Sequence, residues 1–146
     1  MVLFLIFNLA YSVYNLNQTA GQLLLFKMRT GSFLSALKLA QMGFISPVYF
    51  GECPFCHLPE PEDIEHLLLR CEFFALQRIR FFYPLAELNL DQATAASVLL
   101  GGEQVGDEGT VGPVYFRGEP VTLVTIDFLQ SIFETRQHVL RALLIS

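Results

Sequence analysis

Apolar residues recur every three or four positions through most of the chain and predict a mainly α-helical domain. The helical segments that this pattern predicts are an N-terminal run to about residue 14 and then 22–28, 33–40, 72–82, 91–100 and 120–144. The last segment carries one apolar stripe made of Leu129, Ile132, Phe133, Leu140, Leu143 and Leu144. We expect little or no β-sheet.

Capping and breaking residues divide these segments. Thr30-Gly31 is expected to end the second helix. Ser32 is expected to cap the third helix, and Gly43 is expected to end it. Pro47 interrupts the stretch that follows and predicts an irregular connection. Asp91 can cap the helix that runs to residue 100. Residues 102–118 combine glycines with acidic residues, and this composition predicts a loop.

Length and composition favour one domain, 1–146, with an apolar surface that something else covers. Within this domain, residues 24–80 contain every cysteine, and residues 85–146 form a helical, acidic part. Hydrophobic residues make up 53% of the chain and charged residues 16%. Typical soluble domains have about 25% charged residues. We therefore expect a partner, or a missing part of a longer polypeptide, to cover apolar surface.

The apolar run that opens the chain is too short for a membrane span. It reaches about 14 residues, whereas a spanning helix needs about 20. It also lacks the positively charged region that begins a signal peptide. We expect a helix that is buried or docks on a protein partner, rather than a membrane anchor, and an intracellular protein, nuclear or cytoplasmic.

The cysteines form an array with the spacing C-x2-C-x9-H-x4-C, made of Cys53, Cys56, His66 and Cys71. Three thiolates and one imidazole are a complete tetrahedral ligand set for structural Zn²⁺. The two residues between the first cysteines allow a tight turn to direct both sulfurs at one point, and Pro54 has the fixed φ that suits such a turn. The array therefore predicts one Cys3His zinc knuckle.

This prediction sets a condition on the helix that begins near residues 61–63. On an unbroken α-helix, His66 and Cys71 would lie roughly 140° apart around the axis, because each residue advances by about 100°. They would then face different directions. For both residues to bind one ion, the helix must end or distort before Cys71.

The thiols have two other interpretations. Ile64, Leu67, Leu68 and Cys71 follow the i, i+3, i+4, i+7 spacing of an apolar helix face, so the cysteines can be ordinary core residues. A disulfide would leave one of the three cysteines unpaired, and nothing in the sequence indicates an oxidising compartment.

The fourth ligand position also has an alternative. His57 competes with His66 for it, but His57 is crowded by its neighbour Cys56, itself a predicted ligand. His138 lies far away in a helical stretch and is interpreted as a surface or hydrogen-bonded histidine.

Charge is distributed unevenly along the chain. The net charge of −5 lies entirely beyond residue 80, so the basic footprint that is usual in nucleic-acid-binding proteins is absent overall. Basic residues near the knuckle are Lys27, Arg29, Lys38, Arg70, Arg78 and Arg80. Aromatic residues interleaved with Arg70, Arg78 and Arg80 are Phe73, Phe74, Phe81, Phe82 and Tyr83. These two groups are the candidate contacts to phosphates and bases, or else a solvated face and a core. Arg136 and Arg141, in the final helix, are not expected to take part.

The order of these motifs resembles the zinc-binding segment at the C-terminal end of reverse transcriptases from non-LTR retrotransposons. The similarity covers about residues 24–80. It consists of Arg29-Thr30-Gly31, a helix to Gly43, the cysteine pair, the acidic run from Glu62 that leads through His66 and leucines to Cys71, and then Arg78. The family often has histidine after the Arg-Thr-Gly motif, whereas this chain has Ser32.

The resemblance implies an accessory module that grips template RNA or target DNA, with Cys53, Cys56, His66 and Cys71 at the ligand positions. It also implies upstream reverse transcriptase domains as neighbours. The chain itself has no Tyr-x-Asp-Asp motif, no spaced carboxylate set, no Gly-rich phosphate loop and no nucleophile constellation. We therefore expect no enzymatic activity.

Two functions remain in competition. The first is a nucleic-acid-binding zinc module, the remnant or C-terminal fragment of such a reverse transcriptase. The second is a helical protein-interaction domain in which zinc only fastens the fold. The acidic C-terminal part favours the second, and the resemblance favours the first.

Overall fold

Five α-helices account for most of the part of the chain that the structure describes. This computed structural model describes residues 19–83, 91–101, 103–105, 111–113, 115–116 and 119–145. The α-helices are α1 (Ala20–Thr30), α2 (Ala36–Gln41), α3 (Ala75–Phe82), α4 (Gln92–Leu99) and α5 (Val121–Leu143). Shorter helical turns are the 3-10 segments Pro47–Phe50 and Glu72–Phe74 and the π-helix His66–Arg70. The predicted mainly α-helical class is confirmed, while the predicted N-terminal helix lies outside the described residues.

Two short antiparallel strand pairs lie in the segment 102–118, for which the sequence predicts a loop, and just beyond it. The pairs are β1 (Glu103–Val105) with β2 (Val111–Pro113), and β3 (Tyr115–Phe116) with β4 (Glu119–Pro120). In the first pair Gln104 lies opposite Gly112. The loop prediction is therefore corrected for these positions. Glycines and prolines at and between the strands limit each one to two or three residues.

Helix α1 has a clear signal at each end. At its N-terminus, the Thr19 hydroxyl accepts a hydrogen bond from the Gln22 amide, and the Gln22 side chain accepts one from the Thr19 amide. At its C-terminus, Gly31 adopts a left-handed conformation with φ of 78° and donates its amide to the Lys27 carbonyl. The predicted stop at residues 30–31 is confirmed, because glycine takes this conformation without steric cost.

Helix α2 is capped by Ser35, not by Ser32 as predicted. The Ser35 hydroxyl accepts a hydrogen bond from the Lys38 amide at 3.2 Å. Ser32 instead belongs to the turn after α1, where its amide donates to the Lys27 carbonyl at 2.9 Å. That turn must close before a new helix can begin, so the helix starts later. Gly43, with φ of 82°, follows the end of α2 as expected.

The long helix α5 packs against α1 at very close range. A Cβ atom at Gly21 would lie 2.2 Å from the carbonyl oxygen of Ile126, so only glycine fits at this crossing. The Gly21 amide also donates to the side-chain oxygen of Gln130 at 2.9 Å. Along the predicted stripe of α5, Leu129, Ile132 and Leu140 are buried and Phe133, Leu143 and Leu144 are partly buried.

Helices α3 and α4 also pack against α5. The Phe82 ring of α3 lies 4.6 Å from the Phe128 ring, centroid to centroid. The hydroxyl of Thr125 donates to the Leu99 carbonyl at the end of α4, at 2.7 Å. Asp91 caps α4 as predicted, accepting from the Thr94 amide.

Over the described ranges, no helix combines the length and apolar character that a membrane crossing requires.

Candidate metal centre

The first two cysteines lie on a tight turn. The Cys53 carbonyl accepts a hydrogen bond from the His57 amide at 2.9 Å, and the Cys53 sulfur accepts one from the Phe55 amide at 3.4 Å. His57 closes the turn in the left-handed region, with φ of 59°. This backbone conformation turns the chain back on itself and directs Cys53 and Cys56 to the same side.

The next two candidate ligands lie at the ends of a distorted helical turn. The Asp63 side chain accepts from the His66 amide at 2.7 Å and so caps the start of this turn. The Cys71 amide donates to the His66 carbonyl, five residues back, at 2.8 Å, which is the hydrogen bond of a π-helix. Cys71 itself is extended. The predicted distortion before Cys71 is confirmed, and it brings both side chains to one side.

The four donor atoms of Cys53, Cys56, His66 and Cys71 converge. They all lie within 4.8 Å of one another. The sulfurs of Cys53 and Cys71 are 3.8 Å apart, and the Cys56 sulfur is 3.5 Å from Nε2 of His66. All three thiols are free in this structure. Three of the four residues are buried and Cys56 is partly exposed, so the group could bind a metal ion close beneath the surface.

The alternative histidine does not join this group. The His57 side chain is 66% exposed, and its Nδ1 lies 3.7 Å from a carboxylate oxygen of Glu52. His138 is an exposed residue of α5. Among the described residues, the cluster that could hold a metal ion therefore contains His66 and not His57.

A carboxylate holds the far side of the His66 ring. Nδ1 of His66 lies 2.5 Å from Oε1 of Glu60, while Nε2 faces the sulfurs. Arg70 donates from Nε to the same oxygen of Glu60 and from Nη1 to Glu65 at 2.7 Å. A carboxylate on the second nitrogen of a ligand histidine fixes the orientation and tautomer of the ring. Sequence reasoning missed this role of Glu60, because Glu60 lies in an irregular stretch where no spacing rule places it beside His66.

Proton affinities in the metal-free cluster are strongly coupled. Burial opposes a charge on the His66 imidazole, but hydrogen bonds with Cys53 and Glu60 outweigh it and raise the pKa of His66 to about 9. The hydrogen bond with Cys71, together with burial, raises the pKa of the Cys53 thiol to about 12. The same hydrogen bond lowers the pKa of Cys71. At neutral pH the cluster therefore holds protons that a metal ion would displace.

A buried ion pair connects the knuckle to the helices. Glu62, fully buried, receives two hydrogen bonds from the guanidinium of Arg136, at 2.7 and 2.9 Å, and one from the Ala36 amide at 2.7 Å. Arg136 also donates to the Leu34 carbonyl and lies over the Phe33 ring at 4.7 Å. The sequence gives no signal for this pair, whose members are 74 positions apart. Because Arg136 is committed to this buried ion pair, it cannot be replaced as a surface control in a binding experiment.

Two of the six predicted nucleic-acid contacts are engaged within the fold. Arg70 lies among Glu60, Asp63 and Glu65. Arg78 donates to the carbonyls of Leu67 and Leu68 at 3.2 and 3.0 Å and so caps the end of the π-helix. Burial lowers the pKa of Arg78. Both arginines thus help to shape the knuckle.

The other four basic residues pair with no acidic side chain of the described ranges. Lys38 donates from Nζ to the Gly31 carbonyl at 2.8 Å, which places its charge at the C-terminal end of α1, the helix whose last turn carries Lys27 and Arg29. Burial lowers the pKa of Lys27. Arg80 is exposed on α3, with its guanidinium 5.3 Å from the centre of the Phe81 ring. Three of these four cations therefore lie at the C-terminal end of α1, with Lys27 and Arg29 about 200° apart around the helix.

The aromatic residues after the knuckle divide between core and surface. Phe74 and Phe82 are buried, whereas Phe73 and Tyr83 are about half exposed. The Phe73 ring meets the Phe74 ring edge-on at 5.0 Å, and Phe55 adds a third ring to this cluster beside the cysteine turn. The core interpretation thus applies to two of these residues.

Comparison of the chain with protein-family models, curated proteins and solved structures finds no match.

Proposed function

We propose that this chain is a non-catalytic nucleic-acid-binding module whose fold is fastened by one zinc ion. Cys53, Cys56, His66 and Cys71 would hold the ion, and cations at the C-terminal end of α1 would contact phosphates. Four protein ligands fill a tetrahedral zinc site and leave no position for a catalytic water. We further propose that the module is a remnant or C-terminal fragment of a non-LTR retrotransposon reverse transcriptase.

The spacing of the donor atoms supports zinc. A tetrahedral ion with bonds of about 2.3 Å to sulfur and 2.0–2.1 Å to nitrogen separates two sulfurs by about 3.8 Å and a sulfur from a nitrogen by about 3.6 Å. The corresponding distances are 3.8 Å between Cys53 and Cys71 and 3.5 Å between Cys56 and His66. Three thiolates with one imidazole also favour zinc over magnesium or calcium, which prefer oxygen ligands.

The position of Lys27, Arg29 and Lys38 at the C-terminal end of α1, with no acidic partner among the described residues, is the observation that carries the nucleic-acid part of the proposal. Opposed acids neutralise Arg70, and Arg78 is committed to backbone carbonyls, so the phosphate contacts are assigned to these three residues, with Arg80 as a peripheral contact. Cations at a helix C-terminus also stabilise the helix dipole. Lys38, although it belongs to the next helix, also serves this role through its hydrogen bond to the Gly31 carbonyl.

A salt titration of binding to single-stranded RNA and DNA tests this assignment. The triple variant Lys27→Ala, Arg29→Ala, Lys38→Ala should bind more weakly, and the slope of log affinity against log salt should fall by about 0.7 for each lost phosphate contact. Arg141→Ala, in α5, is the control and should bind like the wild type. Zinc content should not change in any of them. A triple variant with wild-type affinity and slope would contradict the assignment.

The second candidate function is docking of a protein partner. It is supported by Leu76 and Ile79 of α3, which are 79% and 64% exposed, and by the net charge of −5. Apolar contacts depend little on salt, unlike phosphate contacts. If the wild type binds neither RNA nor DNA even at low salt, this second function replaces the first.

A further inference from the structure

An open groove runs between α1 and α5 beside the cations. Its volume is about 490 Å³, and it is lined by Gln22, Leu25, Phe26, Arg29, Thr30 and Ile126. This volume lies within the range of about 300–1,000 Å³ that is typical of small-ligand sites. None of these lining residues is acidic. The groove is therefore compatible with an anionic ligand that has one flat apolar part.

Phe26 and Arg29 give the groove two different chemical ends. Phe26 is 63% exposed, although it is a large aromatic residue on a helix with a well-buried opposite face. Arg29 follows one turn later on the same face and is exposed with no acidic partner among the residues that the structure describes. An aromatic ring can stack on a base, and a guanidinium can hold the adjoining phosphate.

The walls of the groove are held at a fixed distance. The close crossing at Gly21, with its hydrogen bond to Gln130, fixes α1 against α5 at one end. At the other end Arg29 lies along the turn after α4, where a Cβ at Gly101 would be 3.4 Å from the Arg29 guanidinium carbon. The ring and the guanidinium are thus presented by packed elements, which reduces the ordering that binding requires.

We propose that this groove is a base-stacking subsite for single-stranded nucleic acid, with Phe26 stacking on one base and Arg29 contacting the phosphate beside it. The proposal rests on the proposed function and adds to it a contact that is independent of charge. Stacking on an aromatic residue contributes about 1–3 kcal/mol per base and depends little on base identity. The subsite therefore favours strands with unpaired bases over duplexes without reading a sequence.

A tryptophan at position 26 reports stacking directly. The chain has no tryptophan, so Phe26→Trp introduces the only one. Titration of the full chain with a thymidine or uridine oligomer of about 12 nucleotides should quench its fluorescence, because this length lies within the roughly 4–16 nucleotides of known single-strand sites. An abasic oligomer of equal length and charge should not. The matched control is Phe50→Trp, at a phenylalanine that is 51% exposed elsewhere, where neither oligomer should quench.

Affinities measured on tryptophan-free variants complete the test. Phe26→Leu should weaken binding of the base-containing oligomer about tenfold, as expected from the stacking energy, and leave binding of the abasic oligomer unchanged. Phe50→Leu should change neither. Zinc content and helicity should remain those of the wild type, because Phe26 is exposed.

The possible outcomes separate this proposal from the proposed function. If the wild type binds both oligomers and Phe26→Leu binds them equally well, the subsite is wrong and the nucleic-acid function stands. Equal quenching of Trp fluorescence by the abasic oligomer, or equal losses of affinity for both oligomers, also overturns stacking. If the wild type binds neither oligomer, both proposals fail.

Discussion

Two different kinds of contact hold the segment 53–71, one within the segment and one to the helices. The cluster of Cys53, Cys56, His66 and Cys71 connects parts of the segment with one another, over at most 18 positions. The ion pair between Glu62 and Arg136 connects the segment to α5, across 74 positions. The first therefore sets the internal shape of the segment, and the second sets its place on the helices. Breaking them should have different consequences for metal binding and for stability.

Loss of a metal ligand should have the largest effect. Cys71→Ser should abolish stoichiometric zinc binding and lower the thermal stability of the whole domain. A structural zinc site contributes on the order of 10 kcal/mol of apparent binding energy at neutral pH, which is comparable to the net stability of a small domain. Metal analysis and thermal unfolding measure both effects, with His57→Ala as the control. Freshly purified, reduced wild-type protein without zinc would contradict the prediction.

Loss of Arg136 should destabilise the fold by about 3–5 kcal/mol, because the Glu62 carboxylate would remain buried without its partner. Urea unfolding of the zinc-loaded protein measures this change, and Arg80→Ala, at an exposed arginine of α3, is the control. The double variant Glu62→Gln, Arg136→Met removes both charges and should recover part of the loss. The two contacts are independent if Arg136→Ala still binds one zinc in its folded state. A loss below 1 kcal/mol would show that the pair does not hold the segment.

Metal affinity should rise steeply with pH. Below about 9 the His66 imidazole is protonated in the metal-free fold, and the Cys53 thiol, with a pKa of about 12, also holds its proton. Displacement of at least two protons predicts an increase of about 100-fold in affinity per pH unit near neutrality, or roughly 2.7 kcal/mol. Competition with a chelator measures it. Affinity independent of pH between 6.5 and 8.5 would contradict the cluster's protonation.

The stability of the metal-free fold should fall as the pH rises, whereas metal affinity rises. The folded-state pKa of His66 lies above its ordinary value of 6.5, so this group stabilises the metal-free fold below that pH. That contribution is lost as the pH rises through about 9. The stabilisation that zinc confers, measured as a difference in Tm, should therefore widen with pH.

The smallest expected effect is on zinc affinity, and it should differ between Glu60 and Glu65, the two acids that bind Arg70. Glu60→Gln should weaken zinc binding about 10–100-fold, because Glu60 orients the ligand ring of His66. Glu65→Gln is the matched control, since the Glu65 carboxylate also binds Arg70 but is not the one bonded to the His66 ring. Chelator competition at constant pH measures both. Equal losses in the two variants would assign the effect to Arg70 rather than to His66.

Local signals in the sequence predicted more of this molecule than long-range ones could. The stop at Gly31, the Asp91 cap and the distortion before Cys71 follow from the chemistry of neighbouring residues. The cap of α2 was misassigned because Ser32 and Ser35 have the same local preference, and only the geometry of the preceding turn separates them.

The long-range features could not be obtained in this way. Nothing in composition or spacing marks Arg136 as buried, since an arginine on an amphipathic helix is usually solvated. Its burial depends on where Glu62 arrives after the knuckle has folded. Likewise, the tight crossing at Gly21 is visible only when α5 is in place, because a glycine in a helix has no preferred role by itself.

The separation between α1 and α5 along the chain has a consequence for the rate of folding. Gly21 and Gln130 are 109 positions apart, and Leu34 and Arg136 are 102 apart. Contacts between distant segments form slowly, because the entropy of loop closure opposes them before they contribute energy. The cysteine turn and the π-helix involve only nearby residues. We therefore expect them to form first, so that docking of α5 is the late, rate-limiting event.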